Sequence, residues 1–234
     1  MLRTIFFYST YLPLTAVLTI LAITIPKTAR WCAQFWSACA VRFAGIRVEA
    51  DLGNLDPSQN YIFMANHQSQ LDIPLLYTSL RHWCIGFVAK QSLFDIPLFG
   101  NAMRNAGTIP IDRTNRRRAM KSVEKAVEEV RAGQNIVIFP EGTRASDFSS
   151  LQPFKVGGMI IALKTGLPVV PLVITGSGET LPKNRIRFGE NRTIRVKALP
   201  PITTQGRYTL KERELFKDDL YRAMNAAYME QHNG

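Results

Sequence analysis

The residues best suited to chemistry lie in the stretch Asn66-His67-Gln68-Ser69-Gln70-Leu71-Asp72. It follows a short apolar run, Tyr61 to Ala65, of the kind that forms a buried β-strand. It precedes Ile73 to Leu80, which has the apolar content of a helix. A His and an Asp therefore sit where a strand gives way to a helix. Regular structure does not pair them. On a continuous helix, positions five apart lie roughly 140° apart around the axis. On a strand, an odd spacing sends them to opposite faces. A tight turn after Ala65 can pair them, with His67 in the turn and Asp72 on the first helical turn. A carboxylate on one ring nitrogen fixes the tautomer and steadies the imidazolium formed when the other nitrogen takes a proton. His67 is then a candidate general base. The plainer alternative is that the two residues only cap a helix or bond a turn.

Other strand ends carry polar residues that a core does not need. Lys90 closes an apolar run from Cys84. Gly107 to Arg113 ends in a cation, and Phe139-Pro140-Glu141-Gly142-Thr143-Arg144 leaves an apolar strand and presents Glu, Gly and Arg at once. Converging Lys and Arg side chains make a phosphate site, since guanidinium binds phosphate oxygens two at a time. Glu141 cannot bind an anion directly; it can orient an Arg or accept a hydroxyl proton. Taken singly, Arg113 reads as well as a solvated residue before a helix, and Glu141 with Arg144 as a local ion pair.

The elements that must position these groups alternate. Ile46 to Ala50 reads as a first strand, and Tyr61 to Ala65, Cys84 to Ala89, Ala106 to Ile111, Asn135 to Phe139 and Val169 to Ile174 as further ones. Thr193 to Ala198 reads as a late edge strand. The clearest helix is Asn115 to Ala132, with Met120, Val123, Val127 and Val130 as its apolar stripe, Thr114 or Asn115 at its start and Gly133 at its end. Gln91 to Arg104 is mixed and broken by Pro97 and Gly100. Phe154 to Thr165, closed by Gly166, and Leu210 to Gln231 read as further helices. This alternation predicts an α/β fold: a mostly parallel central sheet covered by helices on both faces.

Ahead of it, Thr4 to Ile25 carries no charge and is long enough to cross a bilayer as a helix. After Pro26, residues Trp31, Phe35, Trp36, Cys39, Ala40 and Phe43 recur at helical spacing, which predicts an amphipathic helix with aromatics suited to the headgroup zone. Residues 1–44 thus read as an N-terminal two-helix membrane-embedded motif, and 45–234 as the catalytic domain. Either the first helix spans, or the pair enters one leaflet as a hairpin; the second reading is preferred. A cleaved leader is disfavoured, because the apolar stretch is too long and a Trp-rich helix follows it. The formal net charge of +11 draws the surface to something anionic. Three cysteines, Cys32, Cys39 and Cys84, show neither metal-ligand spacing nor a disulfide framework.

Taken together, these blocks resemble the 1-acylglycerol-3-phosphate acyltransferase family, whose members make phosphatidic acid. His67 to Asp72 matches its His-x4-Asp motif. Lys90, Leu93, Gly100 and Arg113 match Lys-x2-Leu-x6-Gly-x12-Arg, Phe139 to Arg144 matches Phe-Pro-Glu-Gly-Thr-Arg, and Val170-Pro171 fits a weaker fourth block. The resemblance implies that His67 takes the proton from the sn-2 hydroxyl of lysophosphatidic acid, with Asp72 holding it in register. That oxygen attacks the thioester of an acyl donor, acyl-CoA or an acidic acyl carrier protein. It further implies that Lys90 and Arg113 bind the acceptor's phosphate, and that Glu141, Gly142, Thr143 and Arg144 shape the same pocket. No covalent acyl-enzyme, metal or cofactor is implied. A related subfamily that acylates glycerol 3-phosphate continues the third block with Ser-Arg. Here Ala145-Ser146-Asp147 follows Arg144, which favours the lysophosphatidate branch. The helix pair is similar to that of bacterial members, which implies the cytoplasmic face of the inner membrane.

Other readings make different demands. Another lysolipid acceptor needs the phosphate cations less. A non-catalytic lipid-binding protein needs no His67–Asp72 pair. Nucleic-acid binding fits +11 but not the apolar terminus, and no reading motif is present. Lys183, Arg185, Arg187, Arg192, Arg195 and Lys197 cluster near the late strands and suit lipid headgroups or an acyl carrier protein.

Overall fold

The computed structural model describes residues 1–112 and 114–233. Helix α1 (Leu2–Thr24) turns through a 3-10 segment, Pro26–Thr28, into α2 (Ala29–Phe43). Helix α2 runs back along α1. Phe6 meets Phe43 with ring centroids 6.2 Å apart, and Trp36 meets Tyr11 at 5.2 Å and donates its indole N–H to Thr15 at 2.9 Å. Helix α1 is apolar all round. Phe7, Tyr11, Leu18 and Ala22 form a buried stripe, while Ile5, Phe6, Leu12, Val17 and Ile20 face outward. A helix of that pattern needs an apolar environment on its second face.

Strand β1 (Arg47–Asp51) and β2 (Ile62–Ala65) lead into α3 (Asp72–Ser79) and β3 (Ile85–Lys90). Two short helices follow, α4 (Gln91–Phe94) and α5 (Phe99–Asn105), then β4 (Ile109–Ile111), α6 (Arg116–Arg131), β5 (Asn135–Ile138), α7 (Gly157–Thr165) and β6 (Val169–Thr175). The chain closes with α8 (Ser177–Thr180), β7 (Thr193–Ala198), a 3-10 turn at Leu210–Glu212 and α9 (Arg213–Asn233). Asn115 caps α6 by accepting from Arg118 N at 2.9 Å. Gly100 lets α5 close on α4: a Cβ there would stand 2.1 Å from the Phe94 carbonyl oxygen. That glycine of the second block serves packing.

Among the described residues the strands form one seven-stranded sheet in the order β1-β7-β6-β2-β5-β3-β4. Neighbours pair in parallel, except β6 with β7. The expectation that Thr193 to Ala198 is an edge strand is therefore corrected. Strand β7 lies inside the sheet, paired from Arg47↔Thr193 to Asp51↔Lys197 with β1 and antiparallel to β6. The true edge there is β1, short and bearing Arg47, Glu49 and Asp51, as suits an edge that must not recruit another strand. Helices cover both faces. On β2, Phe63 and Ala65 face the cluster built with α1, α2 and α3, and Ile62 and Met64 face the cluster built with α6, α7 and α9. Truncating Phe63, fully buried at the centre, would cost about 3–5 kcal/mol. Helix α6 buries Val123, Ala126, Val127 and Val130, with Met120 half-buried.

Candidate active site

Strands β2, β3, β5 and β6 run parallel, so their C-terminal ends share one edge of the sheet. That edge is where open α/β sheets place their ligands. The chain leaves β2 through Asn66, whose side chain is fully buried. Its Nδ2 donates to Ile174 O at 2.8 Å and its Oδ1 accepts from Ile174 N at 2.7 Å, so an amide continues the β2–β6 ladder one residue past the strand. The turn that follows ends at Asp72, the first residue of α3.

Three donors converge on Asp72 Oδ2: His67 Nδ1 at 2.7 Å, Gln68 N at 2.7 Å and Ser69 N at 2.8 Å. A carboxylate oxygen accepts, so the ring proton is assigned to Nδ1 and Nε2 is left with its lone pair. The ring lies flat on Phe139, centroids 3.9 Å apart and planes 15° apart. Behind the turn, Gln68 donates to the Tyr228 hydroxyl of α9 at 2.8 Å and accepts from Ser177 of α8 at 3.2 Å. Ser69 Oγ donates to Leu181 O at 2.7 Å. An imidazole held so firmly can take a proton at Nε2 without reorienting.

The block after β5 grips the same residue from the other side. Phe139 to Gly142 makes a turn, with Gly142 N donating to Phe139 O at 3.0 Å and Gly142 at φ +74°. Glu141 is thereby turned inward, only 3% exposed, and its Oε1 accepts the His67 backbone N–H at 3.0 Å. Burial pushes its carboxyl up to about 8; the His67 N–H opposes the shift and the charge of Asp72 adds to it. Ala145 N donates to His67 O at 2.7 Å. Both backbone polar groups of His67 are thus tied to one loop.

A cavity of about 550 Å³ opens beside His67. Leu18 and Ala22 of α1, Cys32 and Trp36 of α2, Ile73 and Tyr77 of α3, and Ala102 and Met103 of α5 make most of its wall apolar, and His67, Gln70 and Arg144 also face it. Arg144 makes no ion pair of 4.0 Å or less among the described residues, and its Nη1 has no hydrogen-bond partner.

A profile of the Acyltransferase family matches residues 46–175, more than half of the chain. The chain belongs to this family. Among curated relatives, a chloroplastic 1-acyl-sn-glycerol-3-phosphate acyltransferase of Arabidopsis thaliana is 32% identical over 75% of this chain and 49% of its own. One of Helicobacter pylori is 35% identical over 60% of this chain and 58% of its own, and one of Brassica napus 36% identical over 60% and 40%. The chain thus spans about half the length of the curated relatives it matches. The crystal structure of the 1-acyl-sn-glycerophosphate acyltransferase PlsC of Thermotoga maritima superposes with a TM-score of 0.80 at 26% identity, covering 99% of this chain and 95% of that one.

In this member of the Acyltransferase family, the residues named from sequence fall in different places. His67, Asp72, Glu141 and Arg144 come together, with Glu141 behind His67 and outside the cavity wall. Lys90 is exposed at the end of β3, where Ala89 and Leu93 form the wall. Gly142 is half-buried in its turn and Thr143 is exposed beside it. Arg113 lies outside the described residues. Sequence reasoning passed over Asn66 and Gln68 as supports and left Lys183 in a diffuse basic cluster. An amide directly after an apolar strand is the signal available in the chain for Asn66; the chain offers none for Gln68. No group of three or more His, Cys, Asp or Glu suited to a metal occurs among the described residues.

Proposed function

We propose that this chain transfers a fatty acyl group from a thioester to the sn-2 hydroxyl of lysophosphatidic acid, giving phosphatidic acid. One observation carries the reading: His67, braced by Asp72, faces a mostly apolar cavity that Arg144 also faces. The names of the curated relatives and of the Thermotoga structure support it. His67 Nε2 takes the hydroxyl proton as the oxygen attacks the thioester carbon. The tetrahedral intermediate expels the thiolate, which takes the proton back from the imidazolium. Asp72 steadies that imidazolium. The cavity, at about 550 Å³, is of ligand size and takes an acyl chain; Arg144 takes the acceptor's phosphate together with Lys90 and Arg113. No metal or cofactor takes part, and the thiol carrier is coenzyme A or an acyl carrier protein.

Residues 1–44 serve as the membrane-embedded motif and 45–234 as the catalytic domain. Helix α1 is long and apolar enough to cross a membrane. Its antiparallel return through α2 supports a hairpin in one leaflet, with Trp31 and Phe35, both exposed, among the lipids. The two helices also wall the cavity, so a lipid reaches His67 without leaving the bilayer. The cytoplasmic face of a bacterial inner membrane suits this arrangement, since thioester donors are made on that side.

The deciding experiment is product analysis after mixing purified protein with lysophosphatidic acid and acyl-CoA or acyl-carrier-protein donors. Phosphatidic acid acylated at sn-2 is expected. Transfer to other lysolipids but not to lysophosphatidic acid, or no transfer from either donor, would overturn the reading.

A further inference from the structure

We infer that Lys183, in the loop after α8, is a cation of the acceptor's phosphate site; the inference rests on the proposed acyl transfer to lysophosphatidic acid and names a residue that its motifs omit. Lys183 is held by neutral groups. Its Nζ donates to Arg144 O at 2.8 Å and reaches Thr143 Oγ1 at 3.4 Å. It makes no ion pair of 4.0 Å or less among the described residues. A half-buried ammonium fixed by a carbonyl and a hydroxyl keeps its whole charge for a ligand.

The place of that charge follows from the bonds around it. Leu181, two residues earlier, accepts from Ser69 Oγ at 2.7 Å, which ties the Lys183 loop to the turn that carries His67. Arg144, whose carbonyl Lys183 touches, is followed by Ala145, which donates to His67 O at 2.7 Å. Lys183 therefore sits within one hydrogen-bonded ring with His67 and the Thr143–Arg144 loop. Arg144 also faces the cavity beside His67, and its buried Nη1 has no hydrogen-bond partner among the described residues. Glu141 makes no ion pair of 4.0 Å or less with Arg144 or Lys183 among the described residues. Two cations without an ion pair among the described residues, one facing the cavity with His67 and one bonded to the loop that carries it, fit a dianionic headgroup whose hydroxyl must reach that base.

The test is steady-state kinetics of Lys183→Met and Lys183→Arg in detergent micelles, with lysophosphatidic acid titrated at saturating donor and monoacylglycerol as a phosphate-free acceptor. Lys183→Met should raise KM for lysophosphatidic acid by about ten-fold or more, since charge-assisted hydrogen bonds are lost, while KM for the donor stays put. Lys183→Arg should recover most of the loss. Equal losses on monoacylglycerol, or a fall in kcat alone, would mean that Lys183 only braces the Arg144 loop, and would overturn the inference. Binding of lysophosphatidic acid, read from the change in tryptophan fluorescence, to which Trp36 on the cavity wall contributes, separates the two levels of claim. A wild-type protein that binds it but transfers no acyl group sinks the proposed activity; weaker binding by Lys183→Met would still uphold the phosphate contact, and unchanged binding would sink it.

Discussion

Glu141 accepts the backbone N–H of His67 at 3.0 Å, across a separation of 74 residues in the chain. A buried carboxyl thus holds the main chain of the candidate base while Asp72 holds its ring. Replacing Glu141 by Ala leaves that N–H without a partner, at a cost of about 1–3 kcal/mol. Chemical denaturation should show the loss, and kcat should fall with it. Glu141→Gln keeps an accepting oxygen in place and should retain most of both. Equal behaviour of the two variants would remove Glu141 from this positioning role.

The same residue makes stability depend on pH. Its carboxyl stands at about 8 when folded, against 4.5 for an ordinary Glu. Between those values the folded state keeps a proton that the unfolded chain has released. Stability therefore falls as pH rises through this window, by up to about 1.4 kcal/mol per unit, and levels off above about 8. Denaturation midpoints measured across the window should show a decline in the wild type that is flattened in Glu141→Gln. A parallel decline in both would assign it to other groups.

Asp72→Asn puts an amide where three donors converge on one oxygen. The amide oxygen can still accept from all three donors, but a neutral amide does not steady the imidazolium that forms when Nε2 takes a proton. A fall in kcat of roughly a thousand-fold or more is expected, with a smaller effect on KM. Activity within a few-fold of wild type would show that the carboxylate is not needed to hold the imidazole.

Some of this was legible in the chain and some was not. The turn around His67 could be read because an apolar run and an apolar helix flank it closely in sequence. The place of β7 could not, since its partner β1 precedes it by more than 140 residues at Arg47↔Thr193. Glu141 invited a reading as a ligand-facing carboxylate because local spacing says nothing about a hydrogen bond to a distant turn. Lys183 belongs to no motif, so only its bonds to the Thr143–Arg144 loop single it out.

The cavity supplies a prediction about the donor or acceptor chain. Ala102 lies on its wall, on α5, packed against residues of α1 and α2 that share the lining. Ala102→Phe fills part of the space and should shift preference toward shorter acyl chains. Competition between donors of graded length, and between acceptors of graded length, reads the shift. Unchanged preference in both, with the fold intact by melting temperature, would place the chains elsewhere.

The central claim is that His67 takes the proton from the lipid hydroxyl, and His67→Ala tests it most directly. The ring is surface-accessible on one side and its removal leaves the backbone bonds to Glu141 and Ala145 in place. Acyl transfer to lysophosphatidic acid, followed by phosphatidic acid formed at saturating substrate, is expected to drop by at least about a hundred-fold, while vesicle binding and melting temperature stay near wild type. Turnover at the wild-type rate in that variant would contradict the mechanism.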